Sequence, residues 1–281
     1  MDQQLQEIRE QQKASWNKFS SGWKKWDDLV TQFLQPMGDE IIDQLNLKAS
    51  DAVLDIAGGT GEPGLTIASI VKNGKVIITD LAEAMLAIAA ENATRKNITN
   101  VETQVCDVCE LPFADNSFDA ISCRFGYMFF PDLLLATQEM ARVLKPGGRI
   151  AVSVWGPPEK NFWVTAVGGT INQNMQLDPP PPGAPGMFRC AEPKMIQGLF
   201  KAAGLKQTGE KEVNSSLNLE STEVYWNMMT EVAAPFVAAL SKAGAEMKTK
   251  IKGEVFQKIE GKMGIDTVSL NGNARVIYGV K

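Results

Sequence analysis

Apolar residues early in the chain recur at three- to four-residue steps, at Trp16, Phe19, Trp23, Trp26, Val30, Phe33 and Leu34. That spacing predicts amphipathic helix over residues 1 to about 48, with one face packed on the rest of the protein. From Asp51 the pattern shortens. Ala52 to Ile56 reads as a buried strand, followed by a glycine-rich turn and a helix from about Gly64 to Val71. Lys75 to Asp80 is a second strand, Glu83 to Asn92 a helix, Val101 to Val105 a third strand and Phe118 to Cys123 a fourth. A helix from Leu133 to Leu144, a turn at Lys145-Pro-Gly-Gly148 and a fifth strand from Arg149 to Trp155 complete the alternation. Strands alternating with helices at this interval define an α/β fold with a doubly wound, mostly parallel sheet.

Beyond Trp155 the rhythm breaks. Pro179 to Pro182 and Pro185 predict a stiff surface connector. A helix follows over Glu192 to Ala203 and a strand over Leu205 to Asn214, and Val224 to Met263 reads as two helices with Pro235 bending or ending the first. Thr267 to Leu270 and Arg275 to Gly279, separated by Asn271-Gly-Asn273, predict a hairpin or a closing strand. Three segments result: N-terminal helices over 1–48, a ligand-binding core over 49–156, and a cap with the completion of the sheet over 157–281.

Composition narrows the chemistry. The 281 residues include no histidine, so histidine-based triads, general bases and metal sites are excluded within the chain. A formal charge of −5 argues against a nucleic-acid partner, which needs clustered Lys and Arg. Neither a signal-type segment nor an apolar run long enough to cross a membrane is visible, and a cytoplasmic location is expected. Four cysteines are too few for a disulfide scaffold. Cys106 and Cys109 form a C-x-x-C, but without a second such pair or a histidine they do not make a zinc set.

The glycine turn carries the functional signal. Gly59-Thr-Gly-Glu-Pro-Gly64 satisfies G-x-G-x-x-G, which taken alone suggests a dinucleotide and an NAD(P)-dependent oxidoreductase. Its surroundings point elsewhere. Asp55 on the preceding strand would repel a pyrophosphate but favour a ligand ammonium. Asp80 can accept two ribose hydroxyls, and Asp107 offers an acceptor to an exocyclic amine. Three acids round one crevice suit a cationic nucleoside. For each acid the competing role is a turn or helix cap, which Asp also favours.

Four ordered blocks are more specific than the turn. Val53-Leu-Asp-Ile-Ala-Gly-Gly-Thr-Gly61, Asp80-Leu-Ala-Glu-Ala-Met85, Cys106-Asp-Val-Cys through Phe118-Asp119, and Val143-Leu-Lys-Pro-Gly-Gly-Arg149 together resemble class I S-adenosylmethionine-dependent methyltransferases. Within that class the pattern is most similar to the menaquinone/ubiquinone C-methyltransferase-like branch. The resemblance spans residues 45 to 155 and implies a Rossmann-like methyltransferase fold with S-adenosylmethionine as cofactor. It places Asp55 and Gly59 near the methionine moiety, with Gly58 and Gly61 shaping the turn. Asp80 then holds the ribose, Leu81 and Met85 flank the adenine, and Asp107 meets the adenine amine beside Val108. Cys123 and the following Arg124-Phe125-Gly126 supply the floor near the sulfonium. Ala57 departs from the glycine many members carry there.

Transfer from an activated sulfonium demands placement and exclusion of water more than acid–base chemistry. Arg124, at the end of a buried strand, is the candidate for orienting an anionic or enolate-like acceptor, with a structural ion pair as its competing role. Tyr127 and Asp132 are the candidates for proton work, Asp132 competing with a helix N-cap. Trp16, Trp23 and Trp26 are expected to close over the cofactor. Trp155, Phe162, Trp163, Met187, Phe188 and the stretch Tyr225 to Met229 are expected to wall a hydrophobic small-molecule acceptor or to form lid core. A quinone precursor is the specific alternative, although Tyr127-Met-Phe-Phe130 stands where the quinone enzymes carry an Arg-Asn pair. A nucleoside-binding protein without turnover is the non-enzymatic one. Oligomeric state is not readable.

Overall fold

The protein is described by a computed structural model covering residues 3–178, 181, 183–263 and 268–281. Its framework is a seven-stranded sheet of order β3-β2-β1-β4-β5-β7-β6. Strands β1 (Ala52–Ile56), β2 (Lys75–Asp80), β3 (Val101–Val105), β4 (Phe118–Arg124) and β5 (Leu144–Trp155) run parallel, while β7 (Val268–Val280) lies antiparallel between β5 and β6 (Lys206–Leu219). The middle strands are buried on both faces. Along β1, Val53 joins one apolar cluster and Leu54 the other, and along β2 Ile78 and Ile77 divide in the same way. A two-residue period with both faces covered is why these strands read as continuous apolar runs.

The carboxyl ends of β1 to β5 share one edge of the sheet, and there the connections to α3 (Gly64–Ile70), α4 (Glu83–Arg95) and α5 (Leu133–Val143) leave. The N-terminal segment forms two helices, α1 (Gln3–Lys25) and α2 (Asp27–Leu45), broken at Trp26. Helix α2 buries Phe33, Leu34, Met37 and Ile41 in the core. Helix α1 buries only Gly22 fully, so it lies on the molecule rather than in it.

The second half differs from the sequence pattern in several places. A helix α6 (Phe162–Met175) precedes α7 (Met195–Ala202), which is shorter than the expected Glu192 to Ala203. In place of the two helices expected over Val224 to Met263, the described residues form three, α8 (Thr222–Val232), α9 (Ala234–Ser241) and α10 (Ala245–Met263). Pro235 opens α9 in its first turn, where its missing N–H costs nothing. Of the proline run, Pro179, Pro180 and Pro182 lie outside the described residues, as does Thr267 of the expected hairpin. Of the two alternatives for this segment the closing strand forms and the hairpin does not, β7 running unbroken through Asn271-Gly-Asn273. The segment continues as β7 because a side chain at Gly272 would collide with Phe33, a Cβ there falling 2.7 Å from the ring, and because Asn161 Oδ1 accepts the Asn273 amide at 2.9 Å. The turn expected at Lys145-Pro-Gly-Gly148 becomes the irregular start of β5, with Gly147 at φ +80° and a register shift against β4. Among the described residues, no helix is long and apolar enough to cross a membrane.

Candidate functional site

The end of β1 bears the first acid. Asp55 is fully buried, its Oδ1 accepting from Ser122 Oγ at 2.6 Å and its Oδ2 from the Gly64 amide at 3.1 Å. Burial pushes its carboxyl up to about 7, against the pull of the Ser122 hydrogen bond and the Arg124 charge. Asp55 therefore ties β1 to β4 and to the start of α3. The glycines after it answer to this packing. A Cβ on Gly58 would lie 2.5 Å from Ile78 and 2.8 Å from Asp55, and one on Gly61 would lie 2.7 Å from Leu65. Gly59 differs: it has φ +56°, and its virtual Cβ meets only Met85, at 3.4 Å. It is the glycine of the turn that faces open space.

At the end of β2, Asp80 Oδ2 accepts from the Gly59 amide at 3.1 Å and Oδ1 from the Ala82 amide at 2.9 Å. One carboxylate thus fixes both the glycine turn and the entry to α4. Burial raises its pKa against these bonds. Leu81 is half-buried and Met85 buried, both beside this corner. After β3, Asp107 is 9 % exposed and Oδ1 accepts from the Cys109 amide at 2.9 Å, while Oδ2 has no hydrogen-bond partner. Val108 is buried next to it. Cys106 and Cys109 are free thiols, raised by burial to about 11 and about 12, which leaves both protonated and poor as redox or metal groups.

Strained backbone marks the same edge. Ala57 has φ 52° and Phe125 φ 60°, left-handed values that cost a residue bearing a Cβ about 1–3 kcal/mol. A Cβ on Gly126 would fall 2.4 Å from the Ala57 methyl, so the extra carbon at Ala57 is seated against the turn after β4. Phe125 stacks on Trp155 with ring centroids 4.1 Å apart, and Trp155 in turn meets Phe33 and Trp163 at 5.9 Å and 4.8 Å. Cys123 is buried within β4, its thiol raised further than the others by burial and by Asp55. Arg124 makes no ion pair within 4 Å among the described residues. Burial lowers its pKa, and Glu62, Asp55, Asp27 and Asp39 oppose that shift through their charges.

Two of the proton-transfer candidates are corrected by their surroundings. Tyr127 is fully buried, its hydroxyl bonded to Thr137 Oγ1, and burial drives its pKa far up. Asp132 caps α5, its Oδ1 accepting from the Leu134 and Leu135 amides at 3.0 Å each. The Tyr127 hydroxyl and Asp132 Oδ1 are thus engaged in structural hydrogen bonds. Tyr127→Phe and Asp132→Ala are each expected to cost about 1 kcal/mol of stability. Both should leave turnover within twofold, as thermal melts and initial rates will measure.

Much of the expected acceptor wall is core. Tyr225 donates its hydroxyl to the Trp163 carbonyl at 2.5 Å, and Met228 and Met229 are buried. Trp226 instead lines a cavity of about 440 Å³ among α8, α9 and α10, and no glycine-turn residue lines it. Sequence reasoning missed how α1 is held. Asn17 Oδ1 accepts from the Ala84 amide in the first turn of α4 at 2.9 Å, and Trp16 meets Phe129 edge to face with centroids 5.3 Å apart. Gly22 leaves no room for a Cβ beside the Glu231 carbonyl, and Trp26 Nε1 donates to Glu231 at 2.8 Å. Asn92 was missed too, although it bridges Asp27 and the Thr60 carbonyl of the glycine turn at 2.9 Å each. Their only signal was polar or small residues interrupting an aromatic helix face.

A mostly parallel sheet with a glycine turn after β1 and acids at the ends of β1, β2 and β3 fits the class I S-adenosylmethionine-dependent methyltransferases, and the family match settles the class. Residues 13–164 match the ubiE/COQ5 methyltransferase family, and the chain belongs to that family. It is 39% identical over 123 residues to the ubiquinone/menaquinone biosynthesis C-methyltransferase UbiE of Cellvibrio japonicus, covering 43% of this chain and 49% of that protein. It is also 39% identical over 113 residues to the demethylmenaquinone methyltransferase of Thermus thermophilus, covering 40% and 51%. The chain thus spans about half the length of these relatives. The fold is similar to that of the YcgJ protein of Bacillus subtilis, with TM-score 0.57 and 23% identity over 87% of this chain and 97% of that one. A second likeness is phosphoethanolamine N-methyltransferase 2 of Haemonchus contortus in complex with S-adenosyl-L-methionine, with TM-score 0.53 and 21% identity over 87% and 52%.

Proposed function

We propose that the protein transfers a methyl group from S-adenosylmethionine to a small, apolar or aromatic acceptor. The observation that carries this reading is Asp107 Oδ2, a buried carboxylate oxygen without a hydrogen-bond partner, at the place where an adenine amine would donate. The donor set fits the nucleoside. Asp80 stands at the strand end to take ribose hydroxyls, Leu81, Met85 and Val108 supply apolar surface for the base, and Gly59 opens the turn to the methionine portion. Above about pH 7, where its carboxyl is ionised, Asp55 adds negative charge beneath the ammonium.

The cofactor brings a methyl carbon already activated by its sulfonium, so a bond from the acceptor forms as the carbon–sulfur bond breaks. This chain contributes alignment and dryness. Arg124, which has no carboxylate within ion-pair distance among the described residues, stands at the end of β4 and would orient an anionic or enolate-like acceptor. If Arg124→Ala and Arg124→Lys both kept full turnover and acceptor affinity, that role would be lost.

Quinone-precursor C-methylation is the second reading, favoured by the family and by the names of the relatives. Against it stand Met128, buried, and Phe129, packed on Trp16, in the segment where the quinone enzymes carry Arg-Asn. The four free cysteines suit a reducing compartment, in keeping with the cytoplasm. The net negative charge supports a small-molecule acceptor over nucleic acid.

Calorimetry is expected to show binding of S-adenosylhomocysteine and none of NAD; the reverse result would favour an oxidoreductase. Release of S-adenosylhomocysteine on adding aromatic or isoprenoid acceptors to the protein and S-adenosylmethionine distinguishes an enzyme from a binding protein without turnover.

A further inference from the structure

We propose that Arg9 of α1 is a cofactor-recognition residue that, with Asp107, grips the purine edge of the nucleoside from two sides. The inference rests on the methyltransferase reading above and adds a residue outside the family match, which begins at residue 13.

Arg9 Nη1 lies 3.5 Å from Asp107 Oδ2. That is longer than the 2.7–2.9 Å of a charge-assisted hydrogen bond, and Asp107 Oδ2 has no hydrogen-bond partner. Arg9 Nε is likewise buried without one, its nearest carboxylate being Glu10 Oε1 at 3.7 Å. Two buried polar atoms without hydrogen-bond partners, an acceptor on Asp107 and a donor on Arg9, thus belong to side chains that lie against each other. Leaving both unsatisfied is costly, and a ligand that offers one donor and one acceptor removes the cost. A 6-aminopurine edge is such a ligand: its exocyclic amine donates to Asp107 Oδ2 and a ring nitrogen accepts from the guanidinium. A 6-oxopurine presents the opposite pair, an oxygen facing the carboxylate and a protonated ring nitrogen facing the arginine.

The reach of Arg9 is set by fixed points further along α1. Asn17 is tied to the start of α4 and Lys24 pairs with Glu91 on the same helix at 2.5 Å. Asn17 lies about 12 Å along the helix from Arg9, so α1 runs from α4 to the end of β3 as a rigid arm. Asp107, whose Oδ1 is committed to the Cys109 amide, cannot turn away.

The test is calorimetry of S-adenosylhomocysteine and its 6-oxo analogue, S-inosylhomocysteine, on the full chain and on Arg9→Ala and Arg9→Lys, with melting temperatures measured in parallel. Arg9→Ala is expected to weaken S-adenosylhomocysteine about 10- to 100-fold and to change binding of the analogue by less than about threefold. Arg9→Lys keeps the charge and guards against a loss of folding; it should show the same selective loss at smaller size. Affinity for S-adenosylhomocysteine within twofold of wild type, tighter binding, or equal loss for both ligands would overturn the proposal. Failure of the wild-type chain to bind S-adenosylhomocysteine would instead sink the methyltransferase reading, and this proposal with it.

Discussion

Asp80→Ala is expected to reduce affinity for S-adenosylhomocysteine by at least 100-fold. The carboxylate acts twice. It accepts from the Gly59 and Ala82 amides, holding the glycine turn against the start of α4, and it has lone pairs left for the ribose hydroxyls. Each charge-assisted hydrogen bond contributes about 1.5–3 kcal/mol, so losing two to the ligand accounts for the fall before any loosening of the turn is added. Asp80→Asn should be milder, because the introduced amide keeps an oxygen for one backbone donor. Calorimetry on both variants, with circular dichroism to confirm folding, checks this. Near-normal affinity in Asp80→Ala would show that the nucleoside does not sit at the end of β2.

Asp55→Asn is expected to separate stability from binding. The folded Asp55 carboxyl titrates at about 7, against about 3.9 in an unfolded chain. Between those values the folded protein holds a proton that the unfolded chain has released. The contribution of Asp55 to stability is therefore largest below about pH 4, declines as pH rises to about 7, and is level above that. The total change is a few kcal/mol. Substitution by asparagine removes this dependence while preserving an acceptor for the Gly64 amide and a donor for the Ser122 hydroxyl. Melting temperatures of the variant relative to wild type should accordingly rise from pH 5 to pH 8. Affinity for S-adenosylhomocysteine should fall about tenfold at pH 8, where the wild-type carboxylate opposite the ligand ammonium is charged, and by less at pH 5, where it is protonated. A difference in melting temperature that does not vary with pH would mean that Asp55 is ionised throughout, and would refute the raised pKa.

What the sequence revealed and what it hid divide along physical lines. Strands β1, β2 and β4 were legible because they are short, mostly buried and bounded by local turn chemistry, and β3 and β5 because they continue the same alternation with helices. The three acids were legible because strand ends in this topology converge on one edge. Tyr127 and Asp132 were ambiguous by nature: a residue beside a strand end serves a ligand or caps a helix according to where the next helix lies, and Leu133–Val143 claimed Asp132. The choice between hairpin and closing strand at Asn271-Gly-Asn273 stayed open because it depends on Phe33, far away in sequence. The anchoring of α1 was hidden for the same reason. Asn17, Gly22 and Arg9 acquire meaning only from Ala84, Glu231 and Asp107, which no local pattern connects to them.

The placement of β7 also orders events during synthesis. Strand β6 pairs with β7 along its length, and β7 alone joins it to β5. A nascent chain that has just completed β6 consequently lacks the strand with which β6 pairs. The edge of β5 from Arg149 to Trp155 keeps its backbone N–H and C=O groups unpaired on that side until Val268–Val280 has been made. Non-local strand pairing of this kind slows folding, and an unpaired strand edge invites pairing with other chains. The half of the sheet built from β1 to β4 can assemble early, whereas the half that carries the cap waits for the latest-made strand.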